Sequence, residues 1–286
     1  MLHDPPVGDQ LPADIEGAIE RNDVTASSWL ELTELLYSGS WQPRLRRHRS
    51  TFAFRGVSNS KHDLRTALAR LGAESPELER HILRSFRKYA PQDVVPGDSL
   101  WNWLAVAQHH GAPTRLLDWT YSPFVAMHFA TAQEMDTDGV IWCVDCGRAN
   151  ELLPDLLKHI LRDEGTPVFT AEMLERAAET PQDFDELAAD DFVVFFEPPS
   201  FDARIVNQSA LFALKSNPRV GLDRWLANHQ SVFRRVILPA AIKWEVRDKL
   251  DQANITERVL FPGLDGLSRW LTRYYTPSEF VPPLTE

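Results

Sequence analysis

Short apolar runs typical of β-strands alternate along this chain with segments of helical periodicity, and this interspersion limits the fold more than any other feature. The clearest run is Phe192–Phe196, five consecutive apolar residues ended by two prolines, which predicts a strand buried on both faces. The clearest helix covers residues 76–89, where the apolar residues recur on one face. Because the strands and helices follow no regular strand–helix–strand spacing, the sequence predicts an α+β fold with a mixed or antiparallel sheet flanked by helices.

The remaining elements follow from the same two periodicities. Further strands are predicted over residues 51–56, 140–144, 211–214 and 232–238, with a loop at 203–207. Further helices are predicted over residues 29–36, 100–110, 123–130, 239–252 and 267–275. We expect a flexible N-terminal arm over residues 1–25, one domain over residues 26–276 with a helical insertion at 150–190, and a tail over residues 277–286.

The charge balance argues against a general nucleic-acid binder. The chain has 41 acidic and 30 basic residues, a net charge of −11, whereas binding to phosphates needs clustered cations. The local exception is the run Arg44–Arg49, which is interpreted first as a solvated basic turn, with a nucleic-acid patch as the alternative. The N-terminus has no apolar signal core and no stretch is apolar enough for a membrane span, so we expect a cytoplasmic protein without membrane association.

The only two cysteines, Cys143 and Cys146, form a CxxC pattern within a predicted strand. Zinc binding would need two further ligands at suitable spacing, and a redox pair normally opens a helix. Strand alternation would place the two thiols on opposite faces of the sheet. We therefore expect two buried structural thiols and no metal.

The densest group of polar side chains lies between Gln108 and Thr120, in the sequence QHHGAPTRLLDWT. Each of these groups, if buried, must find a hydrogen-bonding partner or cost about 1–3 kcal/mol. The run therefore either braces the fold as a polar network or faces a ligand. Arg115 and Asp118 are three residues apart and are expected to pair, while one of His109 and His110 is expected to pack in the core and the other to meet a ligand.

Two further patterns could contribute to a ligand site. Arg55 ends an aromatic strand and is followed at once by Gly56, which would place a guanidinium, suited to phosphate or carboxylate, where the backbone can be approached closely; the alternative is a strand-end arginine paired with an acid such as Asp118. Arg204 and Gln208 lie between a buried strand and an apolar segment, where Gln208 either reads a ligand or bonds the backbone.

These patterns together resemble the FRG domain family. The resemblance is carried by Phe54-Arg55-Gly56, the run Gln108–Thr120, Ser122-Pro123 with Ala126–Ala130, Arg204 with Gln208 and Phe212, and Leu260–Leu267. They occur in the family's order and cover roughly residues 28–275. The resemblance implies a protein of bacterial and phage-related loci, with a toxin or phage-defence setting, but implies no particular activity.

A more distant resemblance, to the arginine-type ADP-ribosyltransferases, implies a chemistry. Arg55-Gly56 is similar to the opening motif of their split-sheet NAD site, and Thr120, Ser122, Ala126 and Phe129 are similar to the second motif in type and order. The resemblance implies NAD as substrate, no metal, and transfer of ADP-ribose to water or to a protein or nucleic-acid acceptor. The chain lacks a Ser-Thr-Ser triplet and a late Glu-x-Glu pair, and Glu197 is the acid closest to the expected position.

On this reading the catalytic residues are Arg55 on the pyrophosphate, Thr120 on the ribose, and Asp118 and Glu197 as acids that stabilise positive charge in the transition state. The ligand-binding residues are Gly56, Gln108, His109, His110, Thr114, Arg115, Trp119, Arg204 and Gln208. Two alternatives remain. The chain could be a sensor module that binds a nucleotide or a protein without turnover, or a metal-dependent hydrolase that uses His109, His110 and Asp118.

Overall fold

The computed structural model describes residues 9–72, 76–91 and 98–277. Their strands are β1 (Asp23–Thr25), β2 (Trp41–Gln42), β3 (Arg47–His48), β4 (Phe52–Val57), β5 (Leu116–Thr120), β6 (Gly139–Asp145), β7 (Phe169–Thr170), β8 (Val193–Glu197), β9 (Ala210–Lys215) and β10 (Phe233–Leu238). Their α-helices are α1 (Ala13–Glu20), α2 (Trp29–Tyr37), α3 (Ala67–Arg70), α4 (Pro76–Tyr89), α5 (Leu100–His109), α6 (Pro123–Ala130), α7 (Cys146–Asn150), α8 (Asp155–Glu164), α9 (Ala171–Ala177), α10 (Pro181–Asp185), α11 (Ala203–Asn207), α12 (Leu222–Asn228), α13 (Ala240–Gln252), α14 (Glu257–Leu260) and α15 (Leu264–Tyr275).

Eight of these strands form one mixed sheet in the order β1-β10-β6-β4-β5-β9-β8-β7. The two edge strands are parallel to their neighbours, β1 to β10 and β7 to β8, and the other pairs are antiparallel. Helices cover both faces. The predicted α+β fold with a mixed sheet is confirmed.

The sheet is nearly divided between β4 and β5. These strands share a single pair, Phe54 with Thr120, whereas β4 pairs with β6 over six residues and β5 pairs with β9 over five. Beyond this pair the two backbones diverge. The residues after Phe54 in β4 and those before Thr120 in β5 therefore have no paired backbone partner across the gap. The split therefore opens at the end of β4, next to Arg55.

The apolar core is divided at the same place, but only on one face of the sheet. One face carries a continuous apolar cluster that includes Ala53, Trp119 and Trp142 from both halves of the sheet. On the other face, one cluster packs α5 and the helices α8–α10 against β5, β9 and β8, and a separate cluster packs α2, α6 and α13 against β4, β6 and β10. The gap between these two clusters coincides with the split.

Two segments that were expected to be peripheral contribute to the core and to the sheet. Residues 1–25 were expected to be a flexible arm, but α1 inserts Ile15 and Ile19 into the core, and β1 pairs with β10 at the sheet edge; residues 1–8 lie outside the described residues. Residues 150–190, expected to be an insertion, carry core positions such as Leu157 and Phe184 and supply the edge strand β7. Alternation of acidic residues with leucines hid this contribution, because each helix buries only one face.

The sequence located the long elements and missed short ones. Residues 116–120 received no assignment but form β5, because Asp118 interrupts an otherwise apolar strand. Residues 203–207 were expected to be a loop but form α11, capped by the side chain of Asp202. The tail over residues 278–286 lies outside the described residues.

Both cysteines are buried and free, as predicted. Cys143 packs on the α6 face of the sheet and Cys146 on the opposite face, although Cys146 begins α7 and is no longer in the strand. Burial raises the pKa of each thiol to about 12, which disfavours the thiolate that redox or metal chemistry requires. No helix within the described part of the chain combines the length and apolar character that crossing a bilayer requires.

Candidate functional site

A cavity of about 1420 Å³ occupies the split in the sheet. Its walls come from the end of β4 and the segment after it, from β5 with the end of α5, from α6, and from α11, α14 and α15. Pockets for small ligands usually measure 300–1,000 Å³. This cavity therefore has room for a ligand larger than a single nucleotide.

Most of the predicted site residues meet at this cavity, although they come from three stretches far apart in the sequence. The predicted residues that line it are Arg55, Gly56, Gln108, His109, His110, Asp118, Trp119, Thr120, Arg204 and Gln208. The convergence follows from the topology, since β4 and β5 lie on the two sides of the split and α11 connects directly to β9, the neighbour of β5.

Arg55 reaches across the split. Its Nη1 donates a hydrogen bond to the main-chain carbonyl of Asp118, an oxygen that a continuous ladder would have used. Its Nε is buried and has no hydrogen-bond partner, and among the described residues the guanidinium forms no ion pair. Burial lowers the pKa of Arg55, and the charge of Asp118 only partly opposes this. An anionic ligand would supply the hydrogen-bond acceptor and the negative charge that Arg55 lacks.

Arg204 faces the same cavity from α11. Its Nη1 donates to the carbonyl of His109 over 3.2 Å, and its guanidinium lies 5.2 Å above the ring of Phe261. Its Nε is also buried without a partner, and within the described residues no carboxylate pairs with it. Burial lowers the pKa of Arg204, while Asp118 and Asp202 raise it less.

Asp118 presents its carboxylate to the cavity. This side chain is the exposed position of an otherwise buried strand, and Gln108 Nε2 donates to it over 3.1 Å. Gln108 is in turn oriented by the hydroxyl of Thr114. Asp118 therefore lies in the cavity with one amide hydrogen bond and with Arg55 adjacent to its backbone.

The two histidines differ in their contacts and exposure. His109 contacts the carboxylate of Asp202 and packs edge-on against Phe201, and burial lowers the pKa of its imidazole. His110 ends α5 and is exposed at the cavity rim. His109 is thus the packed imidazole, and His110 is the one that a ligand could reach.

Thr120 and Gln208 connect β5 to the helical wall. Thr120 Oγ1 donates to the carbonyl of Gln208 over 2.6 Å, and Gln208 Nε2 donates to the carbonyl of Leu260 over 2.9 Å. Both residues line the cavity while their hydrogen bonds go to the protein. Gln208 therefore fits the backbone-bonding alternative and anchors α14 to β9.

Gly56 has a packing role. A Cβ at this position would lie 1.8 Å from the carbonyl oxygen of Ala126 and 2.7 Å from the nitrogen of Ala130, so α6 can lie on β4 only if residue 56 is glycine. The close approach expected from the Arg-Gly pair exists, but the group that approaches is helix α6.

Three predicted residues lie elsewhere. Arg115 was expected to pair with Asp118, but it lies just before β5 and pairs instead with Glu79 at 2.7 Å and Asp185 at 2.5 Å, away from the cavity. Thr114 orients Gln108 and does not line the cavity.

Glu197, the expected acid, also lies away from the cavity. It accepts a hydrogen bond from the hydroxyl of Tyr121 over 2.8 Å. Burial, together with this carboxylate, raises the pKa of Tyr121 far above its ordinary value. The position of Glu197 at the end of β8 places it three strands from β4, which the sequence alone could not reveal.

The sequence missed an ionic network in the far wall. Arg247 Nη1 lies 3.0 Å from His128 Nδ1 and its Nη2 contacts Glu257. Glu257 also accepts from Arg273 at 2.7 Å. Burial, with the nearby charge of Arg247, lowers the pKa of His128 to about 3, and the two arginines lower that of Glu257 to about 2 against its burial. The acid–base spacing in α13–α15 could have suggested ion pairs, but not their position at the cavity.

The cavity is more basic than the chain as a whole. Its lining includes seven arginines, at positions 55, 65, 70, 204, 247, 269 and 273, and six carboxylates, at positions 63, 118, 134, 202, 257 and 265. The chain as a whole carries a net charge of −11. The local balance therefore favours an anionic ligand.

The donors needed for a metal centre do not come together in the described residues, where no three His, Cys, Asp or Glu side chains form a group that could hold an ion. His109, expected as a ligand in the hydrolase alternative, is engaged by Asp202.

Comparison with known families gives one match, and it covers the centre of this site. The model of the FRG domain matches residues 50–139, which contain β4, β5 and α6 but not Arg204 or Gln208. No curated protein and no solved structure matches the chain. The segment that supplies Arg55, Gly56 and Asp118 to the cavity therefore matches the FRG domain.

Proposed function

We propose that the cavity binds NAD and that the chain cleaves its nicotinamide–ribose bond, passing ADP-ribose to water or to a macromolecule. The observation that carries the proposal is the pair Arg55 and Arg204, two guanidiniums facing one cavity, each with a buried Nε that has no partner. A pyrophosphate offers adjacent charged oxygens that match two such donors. The cavity volume of about 1420 Å³ accommodates a dinucleotide.

Asp118 is the acid we assign to the chemical step, in place of Glu197. Asp63, Glu134, Asp202 and Glu257 also line the cavity, but each contacts an arginine or a histidine, and Asp265 is an exposed residue of α15. Asp118 instead accepts a hydrogen bond from the amide of Gln108. Its negative charge is therefore less neutralised than theirs and is free to stabilise a developing cation.

The step balances without a cofactor. The bond between the ribose C1′ and the nicotinamide nitrogen breaks, its electron pair goes to the nitrogen, and nicotinamide leaves as a neutral base. The ribose becomes oxocarbenium-like and is stabilised by the Asp118 carboxylate. A water or acceptor hydroxyl then bonds to C1′ and loses its proton to solvent or to Asp118.

The test measures nicotinamide released from NAD by the purified chain, with and without candidate acceptors. Asp118→Asn should lower the rate by about 100-fold, since it keeps the shape but removes the charge. Glu197→Gln is the matched control and should keep the wild-type rate. Release that is absent from the wild type with every acceptor, or unchanged in Asp118→Asn, contradicts the enzymatic assignment.

One observation favours a second candidate, a module that binds the nucleotide without cleaving it. The acid expected from the resemblance, Glu197, contacts Tyr121 and lies away from the cavity. In this case NAD or ADP-ribose should raise the unfolding temperature of the wild type, and the NAD should be recovered intact. The shift should vanish in Arg55→Met, which removes the guanidinium but keeps an unbranched side chain.

A further inference from the structure

A small hairpin stands apart from the eight-stranded sheet. We call it the basic hairpin, residues 41–49, formed by β2 and β3 with Trp41 opposite His48 and Gln42 opposite Arg47. Its turn is closed by hydrogen bonds from Leu45 to Gln42 and from Arg46 to Pro43. Its base is fixed where the nitrogen of Arg49 donates to the carbonyl of Ser40 over 2.6 Å. The hairpin is therefore a defined projection.

The charge of the hairpin contrasts with the rest of the chain. No acidic residue occurs between Glu34 and Asp63, in a protein that has 41 of them. Arg44, Arg46, Arg47 and Arg49 are all exposed, and none forms an ion pair within the described residues. Four cations in six positions thus retain their full charge toward solvent.

An aromatic side chain lies among these arginines. Trp41 is 51% exposed, and its ring is held against the imidazole of His48 with centroids 5.0 Å apart. His48 Nδ1 lies 3.1 Å from the hydroxyl of the buried Ser40. The indole is therefore oriented by the hairpin but keeps a large accessible surface, which is the arrangement that base stacking requires.

We propose that the basic hairpin binds single-stranded nucleic acid, with the arginines on successive phosphates and Trp41 stacked on a base. Phosphates alone would explain the arginines, but they give no role to a half-exposed tryptophan. Stacking is tolerant of sequence, so we expect little base preference. A single strand is favoured over a duplex because its bases are free to stack on an indole.

The inference is independent of the proposed function. Arg49 and Arg55 are separated by six residues of mostly extended chain, roughly 20 Å, with the cavity at the far end of β4. The hairpin can therefore bind while the cavity is inactive, and either assignment can fail alone.

The experiment titrates the full chain into a labelled 12-nucleotide RNA of mixed sequence, and into the same sequence as DNA, by fluorescence anisotropy at several salt concentrations. With four phosphates neutralised, the slope of log K against log salt should change by about −2.8 through the hairpin. The variant with Arg44, Arg46, Arg47 and Arg49 all changed to Gln should lose that slope and at least tenfold in affinity at low salt. Trp41→Ala should lose at least about fivefold.

Matched controls separate these effects from net charge and from misfolding. Arg21, Arg80, Arg84 and Lys88 are exposed residues elsewhere, and changing all four to Gln alters the net charge equally but should leave RNA affinity within about twofold. Tyr89→Ala is the control for an exposed aromatic. Unfolding temperatures of all variants should match the wild type.

Three outcomes overturn the proposal. The first is equal loss of affinity in the hairpin and control variants, which would make the binding a property of net charge. The second is binding to vesicles containing phosphatidylserine but not to the oligonucleotides, which would assign the hairpin to a membrane surface. The third is tighter binding to duplex than to single strands together with no effect of Trp41→Ala.

Discussion

The buried Arg115, just before β5, and the partly buried pair Arg55 and Arg204 at the split differ in how their charges are satisfied. Arg115 is 1% exposed and uses its Nε and both Nη atoms on the carboxylates of Glu79 and Asp185. Burial alone would lower the pKa of Arg115, but the two carboxylates raise it above its ordinary value. Across the split, Arg55 and Arg204 have main-chain carbonyls as their hydrogen-bond partners, and burial lowers the pKa of both.

The difference distinguishes an arginine that stabilises the fold, which we call a brace, from an arginine that is available to bind a ligand. The desolvated guanidinium of Arg115 already has its carboxylates in place, so its charge is compensated. It links α4 and α10 to the start of β5. A desolvated guanidinium with an unpartnered Nε facing a cavity is uncompensated until an anion arrives. Sequence position does not distinguish them, since both kinds fall in motifs rich in polar residues.

The largest effect should come from breaking the brace. Arg115→Met leaves Glu79, which is 3% exposed, and Asp185 without their cation. We expect the free energy of unfolding in urea at pH 7 to fall by about 3–5 kcal/mol, the usual cost of removing one partner of a buried pair.

The pH dependence of this loss provides an internal check. Burial already raises the pKa of Asp185 to about 6 in the intact pair, and loss of Arg115 should raise it further. A carboxyl whose folded-state pKa exceeds its unfolded value is less destabilising once protonated, so part of the loss should be recovered between pH 7 and pH 5. A loss that is the same at both pH values would mean that packing, and not charge, accounts for it.

An intermediate effect is expected from the ionic network in the cavity wall, which tests whether pairing or position decides the role of a buried charge. His128 is 1% exposed and contacts Arg247, and its folded-state pKa is about 3. Because this lies below the unfolded value near 6.5, the stability it supports is present above pH 6.5 and is lost as the pH falls towards 3. At pH 5 the loss should be about 2 kcal/mol.

The check compares urea unfolding of the wild type and His128→Asn at pH 7 and pH 5. Asparagine can accept from Arg247 and does not titrate, so the variant should lose less stability over this interval. Asp23 and Asp185, whose folded-state pKa values are raised to about 6 mainly by burial, act in the opposite direction but equally in both proteins. His159→Asn, at an exposed position, should follow the wild type.

The sequence predicted the fold class, and most of the site residues that it singled out lie at the cavity, because both inferences depend on local pattern. The apolar run 192–196 and the periodic segment 76–89 identify their elements directly. Gln108 and Asp118 were recognised because they lie in a dense run of polar residues, and Arg204 because it lies between a buried strand and an apolar segment. These inferences need no knowledge of which strands are neighbours.

The errors about the site concern contacts between distant segments. Arg115 and Asp118 are close in sequence but do not pair, because the partners of Arg115 come from α4 and α10. Glu197 lies near Arg204 in sequence but is directed toward Tyr121. The single pair between β4 and β5 that creates the cavity is likewise a property of the assembled sheet.

The smallest effect on stability should come from the arginines that face the cavity, and this is the sharpest test of the comparison. Arg55→Met and Arg204→Met each remove one hydrogen bond to a main-chain carbonyl but also remove a buried donor that has no partner. Loss of the hydrogen bond destabilises the fold, whereas loss of the unpartnered donor stabilises it. The free energy of unfolding at pH 7 should therefore change by no more than about 1 kcal/mol in either direction. The same variants should lose the rise in unfolding temperature that NAD or ADP-ribose gives the wild type. If instead Arg55→Met cost as much stability as Arg115→Met, Arg55 would be a second brace across the split, and the distinction between the two kinds of arginine would not hold.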